Sequence, residues 1–291
     1  MRAAAGRRAR HDGSAAAQKR RFDRQGYLVL EDVLTPREVA RLRAALDEVL
    51  RSARGLRHST RKFLVVRDRQ GKYLVSRVRD PIARHRRFHD LVFHPRILDV
   101  VENLIGPNIQ LQQTRLVLKP RTPEAFFDWH QDFPAFPHTN FDLVVVSVYL
   151  DDSTPENGCL RVIPGSHRLG PLLHRFTFEG ARRTMIADRR LVADRSRWRE
   201  LPVRAGGIQV HSANLLHSSR ANMTDRPRRA VLLWYRAADN VQVGGGTDNP
   251  GWGLQVRGVD PGIVRMEAGT CKLPRGIVVR PAAAVPGRRP R

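Results

Sequence analysis

The hydrophobic period of this chain changes near Gly106, and that change limits the folds open to it. Before it, Val39, Leu42, Leu46, Val49 and Leu50 recur at helical spacing. Thr35-Pro36-Arg37-Glu38, just ahead of them, has the pattern of a capping box with proline at the first helical position. An amphipathic helix of about four turns is therefore expected. A second helix is predicted from His94-Pro95 through Ile97, Val100, Val101 and Leu104, with Gly106 as its C-cap. Gly26-Tyr27-Leu28-Val29-Leu30 reads as a short strand ahead of both. After Gly106, short apolar runs punctuated by Gly, Pro, Asn and Asp take over, at 109–119, 143–150, 160–163, 207–210 and 229–236. Helices followed by strands predict an α+β, mainly β domain: a sandwich or barrel with flanking helices.

The 291 residues suffice for one large core or two small ones. The expected organisation is a single domain over 22–281, between a disordered basic tail at 1–21 and a disordered tail at 282–291. Residues 176–200 are highly charged and are expected to be an excursion or a helical insert. A formal charge of +24 points at first to nucleic acid. Its distribution argues against that partner, because residues 1–24 and 272–291 each carry a net +6, together half of the excess. Only five of the 52 basic residues are lysine, and the Arg- and Ala-rich usage looks like coding bias. Binding single-stranded nucleic acid needs stacking aromatics among the basic residues, and the aromatic share is 7%. No run approaches the ~20 apolar residues of a membrane helix. Two cysteines, Cys159 and Cys271, make neither a disulfide framework nor a C-x-x-C site. A cytoplasmic protein is the expectation, and nothing in the pattern specifies an oligomeric state.

Trp129-His130-Gln131-Asp132-Phe133 carries the chemistry. On an extended backbone, residues two apart point the same way with Cα atoms ~6.8 Å apart, so an imidazole and a carboxylate can converge on one ion. A second, distant histidine would complete a 2-His-1-carboxylate facial triad with three coordination positions open, a set that suits Fe(II). The segment from His211 to Arg228 offers two candidates, His211 and His217. Arg228 precedes the strand run Ala230–Tyr235, and its planar fork suits bidentate capture of a carboxylate. On the run from Leu111 to Lys119, Gln113, Arg115, Val117 and Lys119 share one strand face. Polar groups there are costly unless they meet a ligand or one another.

Four motifs in order resemble the phytanoyl-CoA dioxygenase family over about residues 22–240. They are Gly-Tyr-Leu-Val-Leu before a capped helix, Trp-His-x-Asp-Phe at 129–133, Asn157-Gly158 through Pro164-Gly165-Ser166-His167, and Leu216-His217-x-Ser219-x-x-Asn222 with Arg228 eleven residues after His217. The resemblance implies a double-stranded β-helix (jelly-roll, cupin-like) core, Fe(II), 2-oxoglutarate as cosubstrate and dioxygen as oxidant. It makes His130, Asp132 and His217 the metal ligands and catalytic centre. Arg228 becomes the anchor of the far carboxylate of 2-oxoglutarate, assisted by Ser219. The strand at 111–119 is similar to one in the ectoine hydroxylase branch, which implies cosubstrate contacts from Gln113 and Lys119 and a substrate contact from Arg115. Phe136 is a further substrate-binding candidate, but Pro134-Ala-Phe136-Pro137-His138 departs from the recognition loop of that branch, so ectoine is not the expected substrate. The expected activity is hydroxylation, or another oxidation, of an unactivated C–H in a small molecule, in specialised-metabolite biosynthesis. The competing readings are a non-catalytic metal- or ligand-binding β-helix protein and an oxygenase acting on nucleic acid.

Overall fold

The helical first third of the chain closes over one face of the strands that follow. The computed structural model describes residues 13–177, 183–246 and 249–267. In chain order these form α1 (Ala15–Gln25), β1 (Tyr27–Leu30), α2 (Pro36–Arg51), β2 (Phe63–Arg67), β3 (Tyr73–Arg79), α3 (Arg86–Leu91), α4 (Pro95–Ile105), β4 (Ile109–Val117) and β5 (Phe127–His130). Then come β6 (Leu143–Tyr149), β7 (Leu160–Val162), β8 (His174–Thr177), β9 (Arg183–Ile186), β10 (Arg199–Leu201), β11 (Ile208–Ser212), β12 (His217–Ser219), β13 (Ala230–Ala237) and β14 (Gln255–Arg257). The larger sheet has the order β1-β11-β6-β13-β4-β3-β2, with β14 also on β4; the smaller is β10-β7-β12-β5, and β8 pairs with β9. Every pairing is antiparallel.

Alternation along the central strands separates two environments. Val144, Val146 and Val148 of β6, Ile208 and Val210 of β11, and Val231, Leu233 and Tyr235 of β13 join Leu42, Leu46, Ile97 and Val101 of the helices in the main core. Each such side chain contributes ~1.5–3 kcal/mol when fully buried. The opposite face of the larger sheet carries Tyr149, Ala230 and, partly buried, Leu232, which pack with Val29 and Val203. Residues of the smaller sheet, Leu160, Val162 and Leu201, pack on Tyr27, Val29 and Leu215. The inward face therefore holds a smaller apolar plug and a polar remainder.

The capping box forms as expected: Glu38 N–H donates to Thr35 Oγ1 at 3.3 Å and Thr35 N–H to Glu38 Oε2 at 2.7 Å. The strand and helix runs named from periodicity are all present, with ends moved by a few residues. Two expectations need correction. Part of the segment expected as a disordered tail is helix: Ser14 caps α1 by accepting from Ala17 N–H, and Phe22 is buried in the main core. Residues 1–12 and 268–291, including the tail expected at 282–291, lie outside the described residues. Among its described residues, the charged stretch at 176–200 is an excursion and not a helical insert. Its described part holds β9, β10 and two short 3-10 turns, Arg189–Val192 and Arg195–Arg197. Asp188 and Asp194 each accept an N–H two residues ahead, and that local bond competes with a continuing helix.

Because Phe22 ties α1 to the core, Phe22→Ala should lower the unfolding free energy by ~3 kcal/mol. Deleting residues 1–20, which removes the Ser14 cap and the first half of α1, should also destabilise. Urea denaturation of the two variants and the parent chain measures both, and two unchanged midpoints would contradict the docking of α1.

Candidate metal centre and its surroundings

β12 lies between β7 and β5 in the smaller sheet, and the β12–β5 register sets His217 directly opposite His130. Asp132 follows β5 by two residues. Its backbone is not extended but helical, with φ −79° and ψ −37°, because it starts the 3-10 turn Phe133–Ala135. The N–H groups of Asp132 and Phe133 both donate to Ala213 O, at 2.9 and 3.0 Å. That turn, rather than strand pleating, aims the carboxylate at the histidines. One ligand atom from each of His130, Asp132 and His217 lies within 4.8 Å of the others. Among the described residues this is the group of histidine and acidic side chains that meets a metal-binding geometry.

The tautomers of both histidines are fixed by backbone. A carbonyl oxygen only accepts, so His130 Nδ1–H donates to Asp128 O at 2.7 Å and His217 Nδ1–H to Leu215 O at 2.9 Å. Each Nε2 then carries a lone pair, the state a metal ligand requires. Burial, above all, pushes the pKa of both rings down to about 4, so both are neutral at pH 7. Burial would raise the Asp132 carboxyl, but the His211 imidazole, then His217 and His130, outweigh it and hold it well below the usual carboxylate range. Two neutral imidazoles and an ionised carboxylate form a donor set that fits a divalent transition metal such as iron.

Gln131, between the two ligand candidates, faces away from them and anchors the segment. Its amide Nε2 donates to Asn214 O at 2.6 Å and Gly170 O at 2.8 Å, its Oε1 accepts from Leu172 N–H, and its own N–H donates to His174 Nε2 at 2.9 Å. Sequence reasoning missed Gln131 and His174, and no local pattern marks them. It also missed Trp234, whose indole N–H donates to Asp132 Oδ2 at 3.2 Å.

His211, the rival ligand, is buried on β11 with its Nε2 3.6 Å from Asp132 Oδ2, but it falls outside the triad. Arg228 is buried at the approach to β13; its Nε donates to Ser153 Oγ at 3.2 Å and its Nη2 to Tyr149 Oη at 3.3 Å. Arg229 faces the other way and pairs bidentately with Asp151 at 2.7 and 2.8 Å. Ser219, also buried, sits across from Leu160 and Phe127. On β4, Gln113, Arg115 and Val117 pair with Trp234, Leu232 and Ala230 and so share the inward face, as expected. Gln113 Oε1 accepts from Arg115 Nη2 at 3.4 Å, while Gln113 Nε2 is buried without a hydrogen-bond partner. Lys119 lies beyond the strand end at φ +37°. Its ammonium donates to Ala125 O at 2.9 Å and to Arg220 O, which leaves one hydrogen for a ligand. Burial, then the nearby Arg228, holds its pKa well below the ordinary lysine value. Phe136 is half-buried against Phe133, Leu143 and Ala213.

The profile of the phytanoyl-CoA dioxygenase (PhyH) family matches residues 22–230. Ectoine dioxygenase of Sphingopyxis alaskensis is 30% identical over 272 residues, covering 88% of this chain and 87% of that protein. L-proline trans-4-hydroxylase of Streptomyces griseoviridis is 29% identical over 244 residues, covering 77% and 87%. Among solved structures, that of EctD from S. alaskensis with 2-oxoglutarate and 5-hydroxyectoine aligns with a TM-score of 0.65 at 28% identity, over 88% of this chain and 89% of that one.

The buried imidazoles predict an acid-labile metal-free protein. His130, His174 and His217 take up a proton near pH 6.5 when unfolded but only at about 4 when folded. Their contribution to stability is thus complete above about pH 6.5 and is lost as pH falls towards 4. Melting temperatures of the metal-free chain should fall from pH 7 to pH 5, and His174→Gln should flatten the slope. A melting temperature that holds steady across that range would contradict the neutral, buried state of these rings.

Proposed function

Since the chain belongs to the phytanoyl-CoA dioxygenase family and is an iron- and 2-oxoglutarate-dependent dioxygenase, we propose that His130, Asp132 and His217 hold its Fe(II). The observation that carries this reading is the pair of opposed imidazoles, each with Nδ1–H on a backbone carbonyl and Nε2 turned to the same carboxylate. Iron bound there supplies the activation of dioxygen, coupled to oxidative decarboxylation of 2-oxoglutarate to succinate. The two sheets that bracket the site are read as the double-stranded β-helix of this family.

Arg228 anchors the far carboxylate of 2-oxoglutarate, with Tyr149 and Ser153 orienting its guanidinium. Buried charge is stable only when compensated, and among the described residues neither Arg228 nor Lys119 forms an ion pair with an acid. A dianionic cosubstrate supplies the missing charge. Ser219, Gln113 and Lys119 complete the cosubstrate wall, and the unpartnered Nε2 of Gln113 is a donor for it. The substrate is a small molecule, in the setting of specialised-metabolite biosynthesis. An acidic group on it meets Arg115, which also stacks on Trp234 at 5.8 Å, and its apolar part lies towards Phe136. Hydroxylation of an unactivated C–H is the reaction the carboxylate ligand at position 132 favours.

Truncating one partner of a buried charge-assisted pair costs ~2–5 kcal/mol. Arg228→Ala should therefore raise the 2-oxoglutarate concentration needed for succinate formation by roughly two to three orders of magnitude, at ~1.4 kcal/mol per decade. Arg228→Lys, which keeps charge but not the fork, should fall between. Arg229→Ala breaks the Asp151 pair and should cost stability, yet leave the 2-oxoglutarate requirement near the parent value. The reverse pattern would reject the assignment of Arg228.

Iron retention tests the triad. His130→Ala and His217→Ala should each lose Fe(II) in equilibrium dialysis and with it iron-dependent succinate formation. If either variant holds iron as tightly as the parent chain, that histidine is not a ligand.

A further inference from the structure

One buried polar atom beside the triad has no partner. His211 Nε2 is enclosed, makes no hydrogen bond, and points at Asp132 Oδ2 from 3.6 Å, just beyond hydrogen-bonding distance. An unsatisfied buried donor is costly, so such an atom calls for explanation. His211 lies on the inward face of the larger sheet, opposite Val145 of β6, which in turn pairs with Trp234 of β13. His211 and Trp234 thus approach Asp132 from one side, and Trp234 already donates to the same Oδ2 at 3.2 Å.

The tautomer of His211 follows from its other neighbour. Gln209 sits two residues back on the same face, its amide nitrogen 3.0 Å and its oxygen 3.2 Å from His211 Nδ1. If the oxygen accepted a hydrogen from Nδ1, Nε2 would present a bare lone pair to a carboxylate in a buried site. If the amide nitrogen donates to Nδ1, the hydrogen sits on Nε2 and faces the carboxylate. Electrostatics selects the second arrangement. His217 Nε2 lies at a similar distance from Oδ2, 3.9 Å, but its hydrogen is on Nδ1, so it cannot donate there. The two histidines therefore have opposite tasks.

We propose that His211 is a positioning residue: oriented by Gln209, its Nε2–H joins the Trp234 indole in holding Oδ2 of Asp132 and leaves Oδ1 as the oxygen available to the metal. A carboxylate free to turn would offer both oxygens and close a coordination position that the cosubstrate or dioxygen needs. The Trp234 hydrogen bond and the electrostatic pull of His211 Nε2–H, both on Oδ2, oppose that turn. This inference rests on the triad proposed above and deepens it.

The test uses the full chain. In metal-free protein labelled with 15N-histidine, long-range NMR reads the tautomer of His211 directly. Protonation at Nε2 is expected, and protonation at Nδ1 would overturn the proposal. His211→Gln, which keeps a donor near the Nε2 position, and His211→Phe, which keeps bulk alone, are then compared for Fe(II) affinity. The visible charge-transfer band of the anaerobic Fe(II)·2-oxoglutarate complex is recorded for each. Loss of an outer partner of a ligand typically weakens metal binding about 10- to 100-fold. His211→Phe should show that loss and a shifted band at an unchanged melting temperature, with His211→Gln restoring both to near the parent values. His211→Phe that folds and matches the parent in affinity and band overturns the inference alone. A parent chain that gives no iron-dependent band, or a His130→Ala variant that keeps it, overturns the triad itself.

Discussion

The pairing of β5 with β12 is the constraint on which the site depends. It places His130 and His217 across from one another, and each ring then turns back to bond a carbonyl two residues earlier in the chain. The bond does two things together. It fixes which nitrogen carries hydrogen, and it satisfies that hydrogen without drawing on any side chain that might move. Gln131 clamps the outer side of the same segment through three backbone groups. Asp132 is carried into place by a turn whose N–H groups rest on Ala213 O. Each ligand candidate is thus located by main-chain geometry, so a metal bound there would meet a preorganised set and cost little conformational freedom.

The dipeptide Arg228-Arg229 shows how one sequence feature divides between structure and chemistry. Adjacent residues in extended chain point to opposite faces. Arg229 finds Asp151 and forms a bidentate pair that fastens the start of β13 to the segment after β6. Arg228 turns inward, where its partners Ser153 and Tyr149 are neutral hydroxyls. Lys119, also buried, lies close enough to feel its charge. Two basic side chains buried together are unfavourable alone and favourable around an anion.

Much of the fold was legible because local rules governed it. The capping box at Thr35, the stripe along α2, and the apolar strand runs were visible in residue order, since burial on one face leaves a period in the sequence. β2 and β3 leave no clear period in the sequence, and α1 reads as tail because Phe22 alone marks its buried side. The parity of β4 is legible in the sequence from Gln113 onward. The bulge at Gln112 that reverses it upstream leaves no local mark, and depends on where β13 resumes pairing.

For the site, the sequence by itself determined the inventory. It held a histidine and an acid two residues apart, a second histidine in the segment before an arginine, and a polar strand face that needed a ligand. Tertiary structure supplied the geometry that distinguishes the candidates. His211 and His217 are both inward and both buried, and periodicity cannot separate them, because it reports only which way a side chain points. Their difference lies in what each Nδ1 meets: a backbone carbonyl for His217, the Gln209 amide for His211. Those neighbours, and the distance of each ring from Asp132, are fixed by the pairing of strands far apart in the chain. A metal site is defined in three dimensions to within fractions of an ångström, and a one-dimensional pattern cannot carry that information.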